Sequence, residues 1–208
     1  MTVWLTIFDM VGTIAFSVSG ALTGIRKHMD IFGVTILGLS TATAGGIIRD
    51  VILGITPPST FQNPTAAMVA IATAIFVFLP PVRRRLLHSS RVYELVMLAM
   101  DSLGLGAFTV IGVQKAYTSM ATTPGLYLCV FVGVLTGVGG GILCDVMAGE
   151  TPSVFIKRIY ASASIAGALL CCFCWGRLPV PMAMLCGALA IVVIRFLAAH
   201  YRWSLPRA

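Results

Sequence analysis

Gly45-Gly46-Ile47-Ile48-Arg49-Asp50-Val51 returns later in the chain as Gly140-Gly141-Ile142-Leu143-Cys144-Asp145-Val146, and the relation between the two copies decides the fold. Asp50 and Asp145 stand 95 positions apart, and Gly38, Thr41, Gly54, Thr56 and Pro57 recur at that offset as Gly133, Thr136, Gly149, Thr151 and Pro152. Upstream, Asp9, Gly12, Phe16 and Gly20 correspond to Asp101, Gly104, Phe108 and Gly112 at an offset of 92. So many glycines, acids and prolines in step mark an internal repeat of long period.

The repeat is written in apolar sequence. Of 208 residues, 58% are hydrophobic and only 10% charged, with a mean hydropathy of +0.98; an ordinary soluble domain carries roughly 25% charged residues. Apolar runs of about 20 residues, each long enough to cross a hydrocarbon layer as a helix, fill the chain. Hydropathy predicts spans at 3–25, 31–53, 65–82, 92–113, 125–147, 156–175 and 182–199. Turn-forming segments separate them, including Thr56-Pro57-Pro58, Pro80-Pro81, Thr123-Pro124-Gly125, Thr151-Pro152 and Pro179-Val180-Pro181. The expectation is an all-α integral membrane protein, one membrane domain over 1–208, with repeat 1 at 3–82, repeat 2 at 92–175 and a seventh transmembrane helix at 182–199.

The formal net charge of +7 does not point to nucleic acid, because the basic residues cluster at span ends. One face would carry Arg26, Lys27, Arg83, Arg84, Arg85, Arg91, Lys157, Arg158, Arg202 and Arg207, the other little beyond Lys115 and Arg177. The positive-inside rule makes the first face cytoplasmic. Seven spans then put the N-terminus outside and the C-terminus in the cytoplasm.

Each repeat holds three spans, an odd number, so the second copy enters the membrane from the opposite face. Two inverted three-helix repeats, related by a pseudo-two-fold axis in the membrane plane, suit a pathway that opens to both sides. The seventh helix has no repeat partner and is expected to pack outside the pair.

A glycine pair inside a span permits a bend, an unwound turn or the close approach of another helix. Gly45-Gly46 and Gly140-Gly141, at symmetric positions and each followed by an acid, favour a functional bend at the pathway. Asp9, Arg49 and Asp50 should lie toward the outer face, and Asp101 and Asp145 toward the inner one. Arg49 has two readings: it ties helices by pairing with Asp50 or Asp9, or it faces the pathway. Cys144 stands where Arg49 does in the first copy, so the Asp101–Asp145 mouth is expected to hold the stronger negative field and attract cations.

No nucleophile with a base, zinc-protease motif or phosphate-binding loop is visible, so the chain does not read as an enzyme. Cys129, Cys144, Cys171, Cys172, Cys174 and Cys186 lie in apolar runs without metal-ligand spacing and read as packing residues. His28, His88 and His200 fall at span ends, as solvated side chains. No metal and no cofactor is expected.

The paired Gly-Gly-Ile-Ile-Arg-Asp and Gly-Gly-Ile-Leu-Cys-Asp motifs, each followed by Thr-Pro, together with the Asp9 and Asp101 segments, resemble the prokaryotic relatives of the trimeric intracellular cation (TRIC) channels. The same family is also labelled a glycine-transporter-domain family. The resemblance covers nearly the whole chain. It implies a seven-helix protomer with its own pore in the prokaryotic inner membrane. It further implies a constriction shaped by Gly45, Gly46, Gly140 and Gly141, assembly as a homotrimer, and permeation by potassium, sodium and similar monovalent cations. The lysine-glutamate-valine lipid motif of the animal branch is absent, so phosphoinositide regulation does not carry over.

Two function classes follow. One is a passive, potassium-permeable cation channel whose acidic mouths concentrate ions. The other is a secondary transporter of a small solute such as glycine, because inverted repeats with broken helices also build alternating-access carriers.

Overall fold

The structure, a computed structural model of the chain, describes residues 3–119, 124–156 and 159–203. Thr123 of the predicted fourth connection, and Lys157, Arg158 and Arg207 of the predicted basic face, lie outside the described residues. Ten helices and no strand are found among the described residues. They are α1 (Val3–Arg26), α2 (Ile31–Ile52), α3 (Ser59–Gln62), α4 (Thr65–Phe78), α5 (Pro80–Leu87), α6 (Ser90–Ser119), α7 (Leu126–Met147), α8 (Ser153–Ile156), α9 (Ala161–Cys174) and α10 (Val180–His200).

Within hydrocarbon, every backbone polar group must find its partner inside the segment, so long apolar runs become helices. Five of them, α1, α2, α6, α7 and α10, are long and apolar enough to cross a bilayer alone, and the bent α4–α5 pair makes a sixth if taken as one span. The outer surface is apolar: Phe173 is 67% exposed and Leu189 53%, whereas Thr13, Ser17, Thr41, Thr109 and Thr136 are buried. Lipid rather than water is the solvent such a surface fits, and the chain is an all-helical membrane protein.

The helices found over the third and sixth predicted spans are shorter than those spans. Leu79 precedes Pro80 and takes an extended backbone with ψ 136°, because a residue before proline is pushed out of the helical region. The predicted 65–82 span therefore ends at Phe78, and α5 departs at 75° to α4. The predicted 156–175 span becomes α9, whose 14 residues reach about 21 Å. The fourth span is longer than the predicted 92–113, since α6 runs unbroken for 30 residues.

Repeat-related residues do the same local work in both halves. Helices α2 and α7 end in the same cap: Ile55 N–H donates to the Asp50 carbonyl and Glu150 N–H to the Asp145 carbonyl, both at 2.8 Å. Gly54 and Gly149 close these caps at φ +70° and +69°, the left-handed conformation only glycine adopts freely. Ser17 of α1 donates to the Ala70 carbonyl of α4 at 2.6 Å, and Thr109 of α6 meets Ser164 of α9 at 2.7 Å. Hydroxyls thus tie the first helix of each repeat to the third.

Helices α1, α2, α6 and α7 form the centre, with α1 against α6 and α2 against α7. Helix α4 covers α1 and α2, and α9 covers α6 and α7. Helix α10 lies outside the paired halves, on α9 and α6.

Candidate functional site

Two cavities open at opposite ends of α1. One, of about 590 Å³, is lined by Asp9 and Thr13 of α1, Thr43, Gly46 and Arg49 of α2, Ser59 and Thr60 of the α3 segment, and Gln114 and Lys115 of α6. The other, of about 480 Å³, is lined by Thr23, Arg26 and Lys27 of α1 and its turn, Glu94 and Asp101 of α6, Asp145, Glu150 and Ser153, and Arg195 and Arg202. Thr13 and Thr23 bound them on α1, an axial separation of about 15 Å. The structure thus brings Asp9 and Arg49 together at one end and Asp101 and Asp145 at the other.

Asp50 is the exception, because it is fully buried and lines neither cavity. Arg49 Nε and Nη2 bond its Oδ1 at 2.8 and 2.7 Å. Its Oδ2 accepts from the Ser59 N–H at 2.7 Å and from the Ser59 hydroxyl. Asp50 therefore fixes both the Arg49 fork and the start of α3. Arg49 pairs with Asp50, its neighbour on α2, and also lines the Asp9 cavity. In the second repeat, Asp145 Oδ2 accepts from the Ser153 N–H at the start of α8, at 2.5 Å. The two motif acids share one architectural task, anchoring the chain that turns back after each Thr-Pro.

Asp9 makes no direct ion pair or hydrogen bond among the described residues, and Arg49 and Lys115 are the positive charges that act on it. Asp101, its repeat counterpart, is differently placed. Arg195 Nη2 bonds its Oδ2 at 2.9 Å, and the Tyr160 hydroxyl donates to its Oδ1 at 3.0 Å. The Arg195 guanidinium also lies over the Tyr160 ring, 4.8 Å from its centroid. Breaking such a buried pair from one side leaves an uncompensated charge, a cost of roughly 3–5 kcal/mol.

Arg195 and Tyr160 are site residues that the sequence reading missed. The available signal was Arg195 itself, one arginine inside the apolar run Ile191-Val192-Val193-Ile194-Arg195-Phe196, since an ionisable residue within a span usually marks a functional position. Helix α10, over the predicted seventh span, lies on α9 and α6 and sends this charge into the site. At the Asp101 mouth, expected to hold the stronger negative field of the two, Glu94, Asp101, Asp145 and Glu150 face Arg26, Lys27, Arg195 and Arg202, whereas the Asp9 cavity sets one acid against Arg49 and Lys115. Lys27 and Glu150 pair at 2.8 Å across the repeats.

The glycine pairs divide their work. A Cβ on Gly45 would overlap the Thr136 carbonyl oxygen, and one on Gly140 the Thr41 carbonyl oxygen, so these two glycines let α2 and α7 cross at backbone contact. A Cβ on Gly46 would meet nothing nearer than Arg49 Nη2 at 3.7 Å, and one on Gly141 would stand 3.0 Å from the Tyr160 hydroxyl. Both helices stay helical through the pairs, over Ile31–Ile52 and Leu126–Met147, so neither pair unwinds a turn.

Between the cavities the bundle is closed. Phe16 is 1% exposed and Phe108 5%, with ring centroids 5.3 Å apart. Gly12 and Gly104 make room for the rings, since a Cβ on Gly104 would overlap Phe16 and one on Gly12 would reach 3.0 Å from Phe108. Among the described residues no group of His, Cys, Asp and Glu is arranged to hold a metal ion.

A bundle of apolar helices with charged cavities at opposite ends of α1 and buried aromatic rings packed between them defines a multi-pass membrane protein. The family model described as "Glycine transporter" matches residues 6–80 and again residues 98–176. The UPF0126 inner membrane protein YadS of Escherichia coli is 36% identical over 200 residues, covering 95% of this chain and 93% of its own. A prokaryotic TRIC channel crystallised in 0.5 M KCl superposes with a TM-score of 0.88 at 30% identity, covering 99% of this chain and all of that one. The TRIC orthologue from Rhodobacter sphaeroides gives 0.84 at 31% identity, over 95% and 98% of the two chains. The chain belongs to the prokaryotic TRIC family, which the glycine-transporter label also denotes.

Proposed function

We propose that the protein is a monovalent cation channel of the prokaryotic inner membrane, permeable to potassium and sodium, with one pore in each protomer of a homotrimer. The observation that carries this reading is the pair of charged cavities at opposite ends of α1, separated by the Phe16–Phe108 neck. Asp9 and Asp101 offer an entering cation a carboxylate at each end, and the apolar neck between the cavities is a barrier that a hydrated ion crosses only when it widens. Likeness to solved TRIC cation channels supports the same reading.

In this account α4 and α9 act as the third and sixth of seven spans, completing two inverted three-helix repeats, and α10 is the seventh. The Asp101 cavity, next to Arg26, Lys27 and Arg202, faces the cytoplasm, which sets the N-terminus outside and the C-terminus inside. The Gly46 and Gly141 faces border the conducting space, while Gly45 and Gly140 hold α2 and α7 together.

A second reading, secondary transport of a zwitterion such as glycine, is favoured by the mixed acidic and basic lining of the Asp101 cavity. Potassium-loaded proteoliposomes separate the two. Voltage-driven potassium efflux, unaffected by glycine, supports the channel; glycine accumulation with no potassium leak supports the carrier.

A further inference from the structure

The two repeats differ most at their first acids. Asp9 keeps its carboxylate free of direct partners among the described residues, whereas at Asp101 both oxygens are taken, one by Arg195 and one by Tyr160. The base comes from α10, the helix without a repeat counterpart, so nothing in the internal symmetry requires it.

The way Arg195 is held is informative. Its side chain is 6% exposed and lines the Asp101 cavity. A single nitrogen, Nη2, engages Asp101, and Nε is buried with no hydrogen-bond partner. A guanidinium serving only as a brace would use its fork in a two-point bond, the stronger and more directional arrangement. Here one ion-pair bond and one aromatic face hold it, beside a space large enough to receive it when it lets go. Arginine stays charged at all ordinary pH, so it competes for the carboxylate under every condition.

We propose that Arg195 is a tethered cation that occupies the Asp101 carboxylate in place of a permeant ion, and so limits conduction through this cavity. The inference rests on the cation-channel reading. Arg195 is a conductance-determining residue supplied by the extra helix, and Tyr160 positions it by offering its ring face.

The test uses the full chain in planar bilayers, comparing wild type with Arg195→Ala, Arg195→Lys, Asp101→Asn and the Arg195→Ala/Asp101→Asn double variant. Arg195→Ala is expected to raise unitary potassium conductance several-fold at low KCl and little at high KCl, where the released field is screened. The Asp101→Asn background is expected to remove that gain. Guanidinium chloride added on the Asp101 side should return Arg195→Ala to the wild-type conductance and leave the double variant unchanged, an effect no purely structural role gives. Arg195→Lys, which keeps the charge and loses the planar group stacked on the Tyr160 ring, should fall between wild type and Arg195→Ala. It also answers the question if Arg195→Ala fails to reach the membrane: a lysine variant identical to wild type at every concentration overturns the proposal. So does a gain that persists in Asp101→Asn. Wild-type protein without unitary cation currents refutes the channel reading itself, whereas wild-type currents with an unchanged Arg195 series refute this inference alone.

Discussion

Phe16 and Phe108 stand at repeat-related positions with their ring centroids 5.3 Å apart and their planes inclined at 52°. On α1, Phe16 falls between Thr13, which borders one cavity, and Thr23, which borders the other. Phe16 therefore fills the stretch of α1 between the two cavities, while Phe108 packs against it and borders the Asp9 cavity, and each ring leans into a glycine of the other's helix.

Replacing Phe16 by alanine should raise basal potassium leak through the neck. It should also destabilise the fold, since removing a buried phenylalanine costs roughly 3–5 kcal/mol. Efflux from potassium-loaded vesicles, normalised to inserted protein, measures the first effect, and melting in detergent the second. A lower melting temperature with wild-type efflux would assign the rings to packing alone.

Gly45 and Gly46 are adjacent in sequence and should respond oppositely to one methyl group. Gly45→Ala drives a Cβ into the Thr136 carbonyl oxygen, and Gly140→Ala does the same at Thr41. Overpacking of this kind costs typically about 1–3 kcal/mol, more where backbone must move. Both variants should lose assembled protein on size-exclusion chromatography. Gly46→Ala has open space out to 3.7 Å and should assemble normally, while the larger Gly46→Leu should narrow the Asp9 cavity and reduce conductance without reducing abundance.

Most of this arrangement is legible in the sequence because the repeat carries residues whose roles are local. Gly54 and Gly149 are demanded by the left-handed caps, and Gly45 and Gly140 by backbone contact, so each leaves a mark at a fixed offset. Hydropathy locates the long helices for the same reason: burial in lipid is a property of single segments. What it misses depends on partners. The Arg195–Asp101 pair joins positions 94 apart through a helix with no internal counterpart, and the early end of α4 reflects the one residue, Leu79, that Pro80 constrains. Nor does the motif reveal that Asp50 is sealed behind Arg49 while Asp145 borders a cavity, since the same anchoring bond to a following serine serves both.

Asp50→Asn should be among the most destabilising changes to a single charged residue. It strips the charge that compensates Arg49, which is 6% exposed, and an unpaired buried charge costs roughly 3–5 kcal/mol. Detergent melting curves should place Asp50→Asn well below Asp9→Asn, whose acid has no direct partner to strand. Equal melting temperatures would contradict the assigned pairing.

Asp9→Asn should instead act on conduction. Removing its charge leaves Arg49 and Lys115 facing the cavity, which repels cations, so potassium current should fall most at low ionic strength and recover as salt screens the field. A salt-independent loss would indicate a change in pore shape rather than in field.

The central claim is that the two cavities are ends of one cation path. Its most direct test is recording from the purified protein in a planar bilayer under a KCl gradient. The account predicts unitary currents that reverse near the potassium equilibrium potential. A silent bilayer, together with saturable glycine uptake by the same preparation in vesicles, would contradict it and establish the carrier instead.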